Sequence, residues 1–185
     1  MSEKQVKGSI MLDYVRMIRA NRDKDWQKYL EPEDWEIVNG RILPSVWYPF
    51  DTFQRCGLAA FHLIANGNVD LVQAWGRISM EQLVKGIYKS MIADPVPSKA
   101  LDRFILMRRQ FFNFSVLELE QVSEKQAEIW LFRDPDDPGT EPYSAQLKGG
   151  FERLIELAGG HNPKITFFPT ERDGKKCNEF DITWE

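Results

Sequence analysis

The chain has 185 residues, of which 43% are hydrophobic and 28% are charged, and its net charge is −4. These values are typical of a soluble globular protein, and the length favours one domain with a substantial buried core. The acidic balance argues against the basic face that nucleic-acid binding requires, and we interpret the local cluster of Arg103, Arg108 and Arg109 as a solvated helix face. No apolar run approaches the ~20 residues of a membrane span and no signal peptide is visible, so we expect a cytoplasmic protein.

The first 115 residues are predicted to be mainly helical, because apolar residues recur at helical spacing between capping and stop signals. A loop bracketed by prolines over residues 42–49 interrupts these helices. The stretch from Asn68 to Asp94 holds either one long helix or two abutting helices, and Pro95-Val96-Pro97 ends it. The predicted helices start near Ser9, Pro32, Asp51 or Thr52, Asn68 and Ser98.

Residues 116–185 are predicted to fold as a hairpin, a helix and a second hairpin, because the hydrophobic period changes from 3.6 to 2 after Phe112. We therefore predict an α+β fold, with helices packed on an antiparallel sheet of about four strands. The predicted elements are strands over 116–122 and 126–133, a loop over 134–142, a helix that Gly149-Gly150 opens and Gly159-Gly160 ends, and strands over 164–168 and 177–184 around the turn Arg172-Asp173-Gly174.

Three local sequences in this part carry a resemblance: Gly149-Gly150-Phe151-Glu152, Leu157-Ala158-Gly159-Gly160, and Asp173-Gly174 followed by Cys177 and Phe180-Asp181-Ile182. They resemble a superfamily of heme–nitric-oxide-binding domains, vinyl reductase-type small-molecule-binding domains and palmitate-binding subunits of the TRAPP tethering complex. Those proteins share a helical part followed by strand pair, helix and strand pair. The N-terminal part is similar to an uncharacterised family best known from myxobacteria and related deltaproteobacteria, at Gly8, Trp47-Tyr48-Pro49 and Gly76-Arg77. The resemblance implies a ligand-binding or regulatory domain with no established activity.

Heme is the first cofactor that the resemblance raises. Heme–nitric-oxide-binding domains place a proximal histidine on the helix before the first strand pair and hold the heme propionates with a Tyr-x-Ser-x-Arg motif. In this chain the helix over 99–112 has no histidine, and Tyr88-Lys89-Ser90-Met91-Ile92 ends in Ile instead of Arg. We interpret the two histidines, His62 and His161, as surface or structural residues. The expectation is therefore no heme and no other cofactor.

Metal and nucleophilic chemistry find little support in the sequence. The soft ligands Cys56, Cys177, His62 and His161 show none of the close pairs of a tetrahedral site. Arg55 next to Cys56 favours a thiolate by its charge, yet neighbouring helix residues point about 100° apart, so we favour a buried core cysteine. The TRAPP resemblance implies one alternative for Cys56, an acyl chain on the thiol. We expect no enzymatic activity.

Paired carboxylates are the remaining candidates for acid–base chemistry. Glu118 and Glu120 lie two residues apart on a predicted strand, so their side chains share one face. General acid–base work requires an apolar pocket that raises one of the two pKa values. Because nothing in the sequence around them predicts such a pocket, we expect both carboxylates to face solvent.

The aromatic fraction of 12% favours a large aromatic core, with an apolar ligand cavity as the alternative. We predict a non-enzymatic small-molecule-binding or sensory domain with a pocket between helices and sheet. It would bind an apolar or aromatic ligand and signal through a protein partner or a homodimer. The alternative is a protein-interaction or scaffold module without a ligand. The predicted pocket residues, with Tyr48, Arg77 and Arg103 as polar anchors, are Trp47, Tyr48, Phe53, Cys56, Ala60, Trp75, Arg77, Arg103, Phe104 and Phe111.

Overall fold

The computed structural model describes residues 3–86 and 88–185. These residues form two compact units. The first unit comprises residues 3–68 and 109–114, and the second comprises residues 69–86, 88–108 and 115–185. The single domain with an internal boundary after residue 115 stays a prediction. Among the described residues, no helix is both long and apolar enough to span a bilayer.

The first unit is mainly helical and contains a short two-stranded antiparallel sheet. Its strands are β1 (Gln5–Lys7) and β2 (Trp47–Pro49), and each leads directly into a helix. The sequence predicts a loop over residues 42–49, whereas the structure has β2 at the end of this stretch. A three-residue strand is stabilised by its partner strand and leaves no periodic pattern of its own in the sequence. The helices are α1 (Gly8–Ala20), α2 (Pro32–Asn39) and α3 (Phe50–Leu63), with a 3-10 turn over Trp26–Lys28.

Aromatic side chains form the core of the first unit. The Phe50 ring lies edge-on to Phe114 with centroids 4.8 Å apart, and Phe53 lies edge-on to Phe112 at 6.2 Å. Edge-to-face pairs at this separation are favourable because the positive ring edge meets the negative ring face. The segment 109–114 is also tied to β1 through its backbone, since Lys7 N–H donates to the Phe111 carbonyl at 2.8 Å.

The second unit is an α+β arrangement, which confirms the predicted fold class. Its elements are α4 (Val69–Lys85), a 3-10 turn over Lys89–Ile92, α5 (Pro97–Arg108), β3 (Leu117–Ser123), β4 (Gln126–Leu131), α6 (Thr140–Leu157), β5 (Lys164–Arg172) and β6 (Lys175–Thr183). The four strands form one antiparallel sheet in the order β3-β4-β6-β5. The predicted turn joins β5 to β6, where Asp173 and Gly174 have φ of 51° and 71°, as a tight hairpin requires.

Helix α6 begins nine residues earlier than the sequence predicts, at Thr140 instead of Gly149. Pro142 is compatible with this start because the first turn of a helix has no internal use for the missing N–H. Gly149 therefore lies in the middle of the helix. A Cβ at Gly149 would lie 1.9 Å from the Gln73 carbonyl oxygen of α4, so this glycine permits close helix–helix contact. The prediction that this glycine pair opens the helix is therefore wrong.

The contact between α4 and α6 is reciprocal. A Cβ at Gly76 of α4 would lie 1.9 Å from the Gln146 carbonyl oxygen of α6. Each helix thus presses a glycine against the backbone of the other. Such a close crossing excludes every residue with a side chain at the two positions, and it fixes which turns of the two helices meet.

The sheet has one buried and one exposed face. Side chains on the α6 side are buried, among them Ile129, Phe180 and Ile182, and Phe180 lies edge-on to Phe151 of α6 at 5.5 Å. Glu118 and Glu120 on the other side are exposed, as predicted. This alternation follows from the two-residue period of a strand.

Candidate ligand-binding site

Six of the ten predicted pocket residues lie in the first unit. Phe53, Cys56 and Ala60 lie on one face of α3, because their spacing of three and four residues matches the helical period, and all three are buried. Trp47 and Tyr48 lie on β2 directly before this helix and are half-buried. The sixth residue, Phe111, is buried beside β1, where its carbonyl accepts the bond from Lys7 N–H.

The Tyr48 hydroxyl and the Trp47 ring each have a contact within the first unit. The Tyr48 hydroxyl accepts a hydrogen bond from the Leu43 N–H at 3.0 Å. The Lys7 ammonium lies 4.0 Å from the centroid of the Trp47 ring, which is within the range of a cation–π contact. The role of Tyr48 as a polar anchor for a ligand stays a prediction.

The surroundings of Cys56 differ from those of an activated thiol. Burial, and then the negative charge of Asp34, raise the pKa of Cys56 to about 12. The neighbouring Arg55 opposes this shift weakly because its guanidinium is paired with Asp34, with Nε–Oδ2 and Nη2–Oδ1 distances of 2.6 and 2.7 Å. The thiol is therefore protonated near neutral pH, which agrees with a core cysteine.

We predict that neither cysteine of the native protein reacts with a thiol-specific disulfide reagent at neutral pH. Cys56 and Cys177 are both fully buried, and burial is the main cause that raises the pKa of each thiol. Titration with Ellman's reagent should detect no thiol before unfolding and both thiols in concentrated guanidinium chloride. Rapid labelling of one native thiol would contradict the structure at that cysteine.

The other four predicted pocket residues lie in the second unit. Phe104 of α5 is buried and lies edge-on to Phe151 at 5.6 Å, while Trp75 of α4 is half-buried. Arg103 pairs with Asp94 and also donates to the Met91 carbonyl at 3.3 Å. Its guanidinium thus has partners within its own unit, and its role as a ligand anchor stays a prediction.

Arg77 belongs to an ion-pair network between α4 and α6. Its Nη1 lies 3.1 Å from Glu152 and its Nη2 lies 2.8 Å from Glu156. Arg153 of α6 pairs with the same Glu156 at 2.9 Å and with Glu81 of α4 at 3.1 Å. The guanidinium of Arg77 thus has carboxylate partners within its own unit, and its role as a polar anchor for a ligand stays a prediction.

Arg133, which is not among the predicted pocket residues, has a buried polar atom without a partner among the described residues. Arg133 follows β4, its side chain is only 7% exposed, and its Nε is buried without a hydrogen-bond partner. Its Nη2 lies 3.4 Å from Asp137, and its guanidinium lies 5.2 Å from the centroid of the Tyr143 ring. A buried, incompletely satisfied guanidinium is costly unless an acceptor reaches it, so Arg133 offers a donor to an anionic group.

A second guanidinium reinforces this positive charge. Arg108 of α5 donates to the Tyr143 hydroxyl, and its guanidinium lies 5.9 Å from the same ring. Both arginines therefore lie beside the first turn of α6, where the helix dipole is itself positive. The sequence contains a signal for Arg133, because it continues the inward-facing positions Ile129 and Leu131 at the strand period. A charged residue at such a position is unusual and merits examination.

The histidines lie where the sequence analysis expected them. His62 on α3 is exposed and stacks on the Tyr29 ring with centroids 5.2 Å apart. His161 is exposed, and its backbone exchanges hydrogen bonds with Glu185 at 2.8 and 2.9 Å. Among the described residues, no group of three or more His, Cys, Asp or Glu residues is placed to hold a metal ion.

Comparison with known proteins gives different results by sequence and by structure. No family model and no curated protein sequence matches this chain. Solved structures, however, match along almost all of the chain. One of them is an unliganded Fe(II) H-NOX protein mutant from K. algicida. The two structures have a TM-score of 0.63 and 13% sequence identity, and the match covers 97% of this chain and 96% of that chain. The chain has the H-NOX fold. Another match is an oxygen-binding H-NOX domain related to soluble guanylate cyclases, with a TM-score of 0.61, 14% identity, and coverage of 97% and 95%.

The H-NOX match confirms one part of the sequence-based resemblance, namely the fold of heme–nitric-oxide-binding domains. The similarities to the myxobacterial family, to vinyl reductase-type domains and to TRAPP subunits stay predictions. The expectation of no cofactor is wrong by this comparison. The matched structures come from heme proteins, one of them from work on heme distortion in the H-NOX family with a TM-score of 0.62 and 14% identity, so they point to heme.

Proposed function

We propose that this H-NOX-fold chain is a small-molecule sensor domain that binds a porphyrin-type ligand, heme in the first place, and signals to a protein partner. The observation that carries the proposal is the structural match over 97% of the chain to domains described as binding heme and oxygen. Cofactor-binding domains of one fold commonly place their ligands alike, although fold alone does not determine function. The residues of this chain must therefore be tested against each part of the ligand.

The iron of a heme finds no suitable histidine in this chain. Helix α5, which precedes the β3–β4 pair, contains none, and His62 and His161 are both exposed. Tyr88-Lys89-Ser90-Met91-Ile92, which resembles the propionate motif without its arginine, lies at the 3-10 turn between α4 and α5. The residues do not fit a histidine-bound iron, and we derive no chemistry that requires one.

The residues of this chain fit the carboxylates and the ring of a porphyrin better than they fit its iron. Arg133 has a buried Nε without a partner, and a planar guanidinium pairs well with a carboxylate. We propose that Arg133 binds a ligand carboxylate and that apolar residues of the predicted set in the same unit, Trp75 and Phe104, contact the ring. Binding would then depend on the macrocycle and its carboxylates, with little contribution from the metal.

Titration of the purified protein with hemin and with iron-free protoporphyrin tests this proposal. We expect both to bind, with dissociation constants within about threefold of each other, because no iron–histidine bond adds to the affinity of hemin. At a hundredfold excess over Kd, either ligand should raise the Tm by roughly 5 °C or more. A protein that changes neither in absorbance nor in Tm with either ligand would contradict the proposal and favour a scaffold module.

Variants test the carboxylate contact, the ring contact and the iron separately. Arg133→Gln should weaken both porphyrins by about tenfold or more, whereas Arg172→Gln, which removes an arginine from the exposed sheet face, should not. Trp75→Ala removes a half-buried ring of α4 in the same unit and should also weaken both ligands if that ring contacts the macrocycle. The double variant His62→Ala/His161→Ala should keep the absorbance spectrum of the hemin complex. Loss of that spectrum would show that a histidine does bind the iron.

A further inference from the structure

The exposed face of the four-stranded sheet carries two rows of directly opposed residues. The register aligns Glu118, Trp130, Glu179 and Phe168 in one row and Glu120, Glu128, Asp181 and Thr166 in the next. We call these two rows the acidic face. Directly opposed residues on neighbouring strands lie about 5 Å apart, so the carboxylates of Glu120, Glu128 and Asp181 are close neighbours.

This arrangement works against folding. Like charges placed directly opposite each other destabilise a sheet, and Glu128 has a carboxylate on each side. Burial and then the carboxylates of Glu179, Glu120 and Asp181 raise the pKa of Glu128. Within the described residues, neither Glu128 nor Asp181 forms an ion pair. Arg172 pairs with Glu120 at one end of this row and offsets part of the repulsion, whereas Glu128 and Asp181 have no ion pair of their own in the described part of the chain.

The neighbouring row shows which cation the acidic face accepts. The Arg172 guanidinium stacks on the Trp130 ring at 3.4 Å from its centroid, and it lies 3.4 Å from Glu120 and 4.0 Å from Glu118. A planar guanidinium is therefore held between an aromatic ring and carboxylates. The exposed ring of Phe168, 43% accessible, extends the same row by one strand and offers a second aromatic surface.

We propose that the acidic face docks a basic, arginine-bearing segment of a partner protein. Charge complementarity favours this occupant, because Glu128 and Asp181 form no ion pair with any residue that the structure describes. The exposed Phe168 ring lies in the neighbouring row, whereas the Trp130 ring is already covered by Arg172. The spacing also fits, since an extended segment carries same-side residues about 7 Å apart, as do the two rows along each strand. A divalent cation does not fit, because no group of three carboxylates among the described residues converges on one point. The proposal goes beyond ligand binding and does not depend on it.

A labelled peptide of alternating Arg and Ala is a suitable probe, with a peptide of alternating Glu and Ala as its control. We expect the protein to bind the arginine peptide at low salt. The double variant Glu128→Gln/Asp181→Asn should raise Kd about two- to fivefold for each carboxylate removed. The control variant Asp23→Asn/Glu36→Gln loses the same charge from exposed positions of the first unit and should bind as the parent protein does.

Thermal stability is a second measurement, and in Glu128→Gln it should increase while peptide binding decreases. Glu128→Gln relieves the repulsion in its row and should raise the Tm by about 1 to 4 °C while it weakens peptide binding. Equal weakening by the control variant would show that net charge alone attracts the peptide and would overturn the proposal. Failure of the parent protein to bind the peptide, or a lower Tm for Glu128→Gln, would overturn it as well. Porphyrin titration of the same variants reports separately on the proposed function.

Discussion

Gly76→Ala and Gly149→Ala are each expected to lower the free energy of unfolding by about 3 kcal/mol or more, or to prevent folding of the second unit. In each case the added methyl group would lie 1.9 Å from a backbone carbonyl oxygen of the facing helix. A backbone atom of a packed helix has no alternative rotamer, so α4 and α6 must separate and lose contact along their length. Urea unfolding followed by circular dichroism measures the loss.

Gly150→Ala is the matched control, because it adds the same methyl group one residue further along α6. Its Cβ would meet the flexible end of Met80 at 3.4 Å, an ordinary van der Waals distance. We expect a change within about 1 kcal/mol, and a stabilising one if the helix propensity of alanine prevails. Similar losses for Gly149→Ala and Gly150→Ala would show that the close helix crossing is not the cause.

Asp34→Asn is expected to cost about 2 to 3 kcal/mol of unfolding free energy. The Asp34 side chain is 0% exposed, and it binds Arg55 through two hydrogen bonds and the Glu31 N–H at 2.8 Å. The amide would leave the Arg55 guanidinium, itself 30% exposed, without its buried counter-charge. Glu33→Gln is the control: Glu33 lies 3.6 Å from Arg55 but is 66% exposed, so we expect a loss within about 0.5 kcal/mol.

The same carboxylate makes stability depend on pH. Burial alone would raise the pKa of Asp34, but hydrogen bonds, chiefly from Arg55, outweigh it and lower the pKa below its ordinary 3.8. The contribution is therefore fully present above the unfolded-state pKa and is lost as the pH falls through the lower folded-state pKa. Urea midpoints measured from about pH 6 to about pH 2 should fall less steeply in Asp34→Asn than in the parent protein. Parallel pH profiles would contradict this assignment.

Periodicity in the sequence predicted the order of elements and the four-stranded sheet, because each hairpin and most helices carry their own apolar pattern. The short β1–β2 sheet had no such pattern, since its three-residue strands depend on pairing across the intervening residues 8–46. The start of α6 was misplaced because Pro142 and Gly149 normally mark helix boundaries. Here Pro142 lies in the first turn, and Gly149 is required by the contact with α4.

The candidate site was predicted less completely than the fold. Aromatic and small residues such as Phe53 and Ala60 were selected by their helical spacing, and both are buried as that spacing indicates. Whether a predicted arginine can bind a ligand depends on whether side chains distant in sequence already pair with its guanidinium. Arg77 meets Glu152 and Glu156 about 75 residues away, while Arg133 keeps a buried Nε without a partner. Residue types alone carry no information about such pairings.

The close crossing of α4 and α6 has a mechanical consequence. Helices separated by a layer of long side chains can slide past each other by repacking those side chains, but Gly76 and Gly149 leave backbone directly against backbone. Ion pairs from Arg77 and Arg153 then tie the same helices along their neighbouring turns. We therefore expect the two helices to move as one rigid pair, so that a displacement at the start of α6, beside Arg133, would also displace α4.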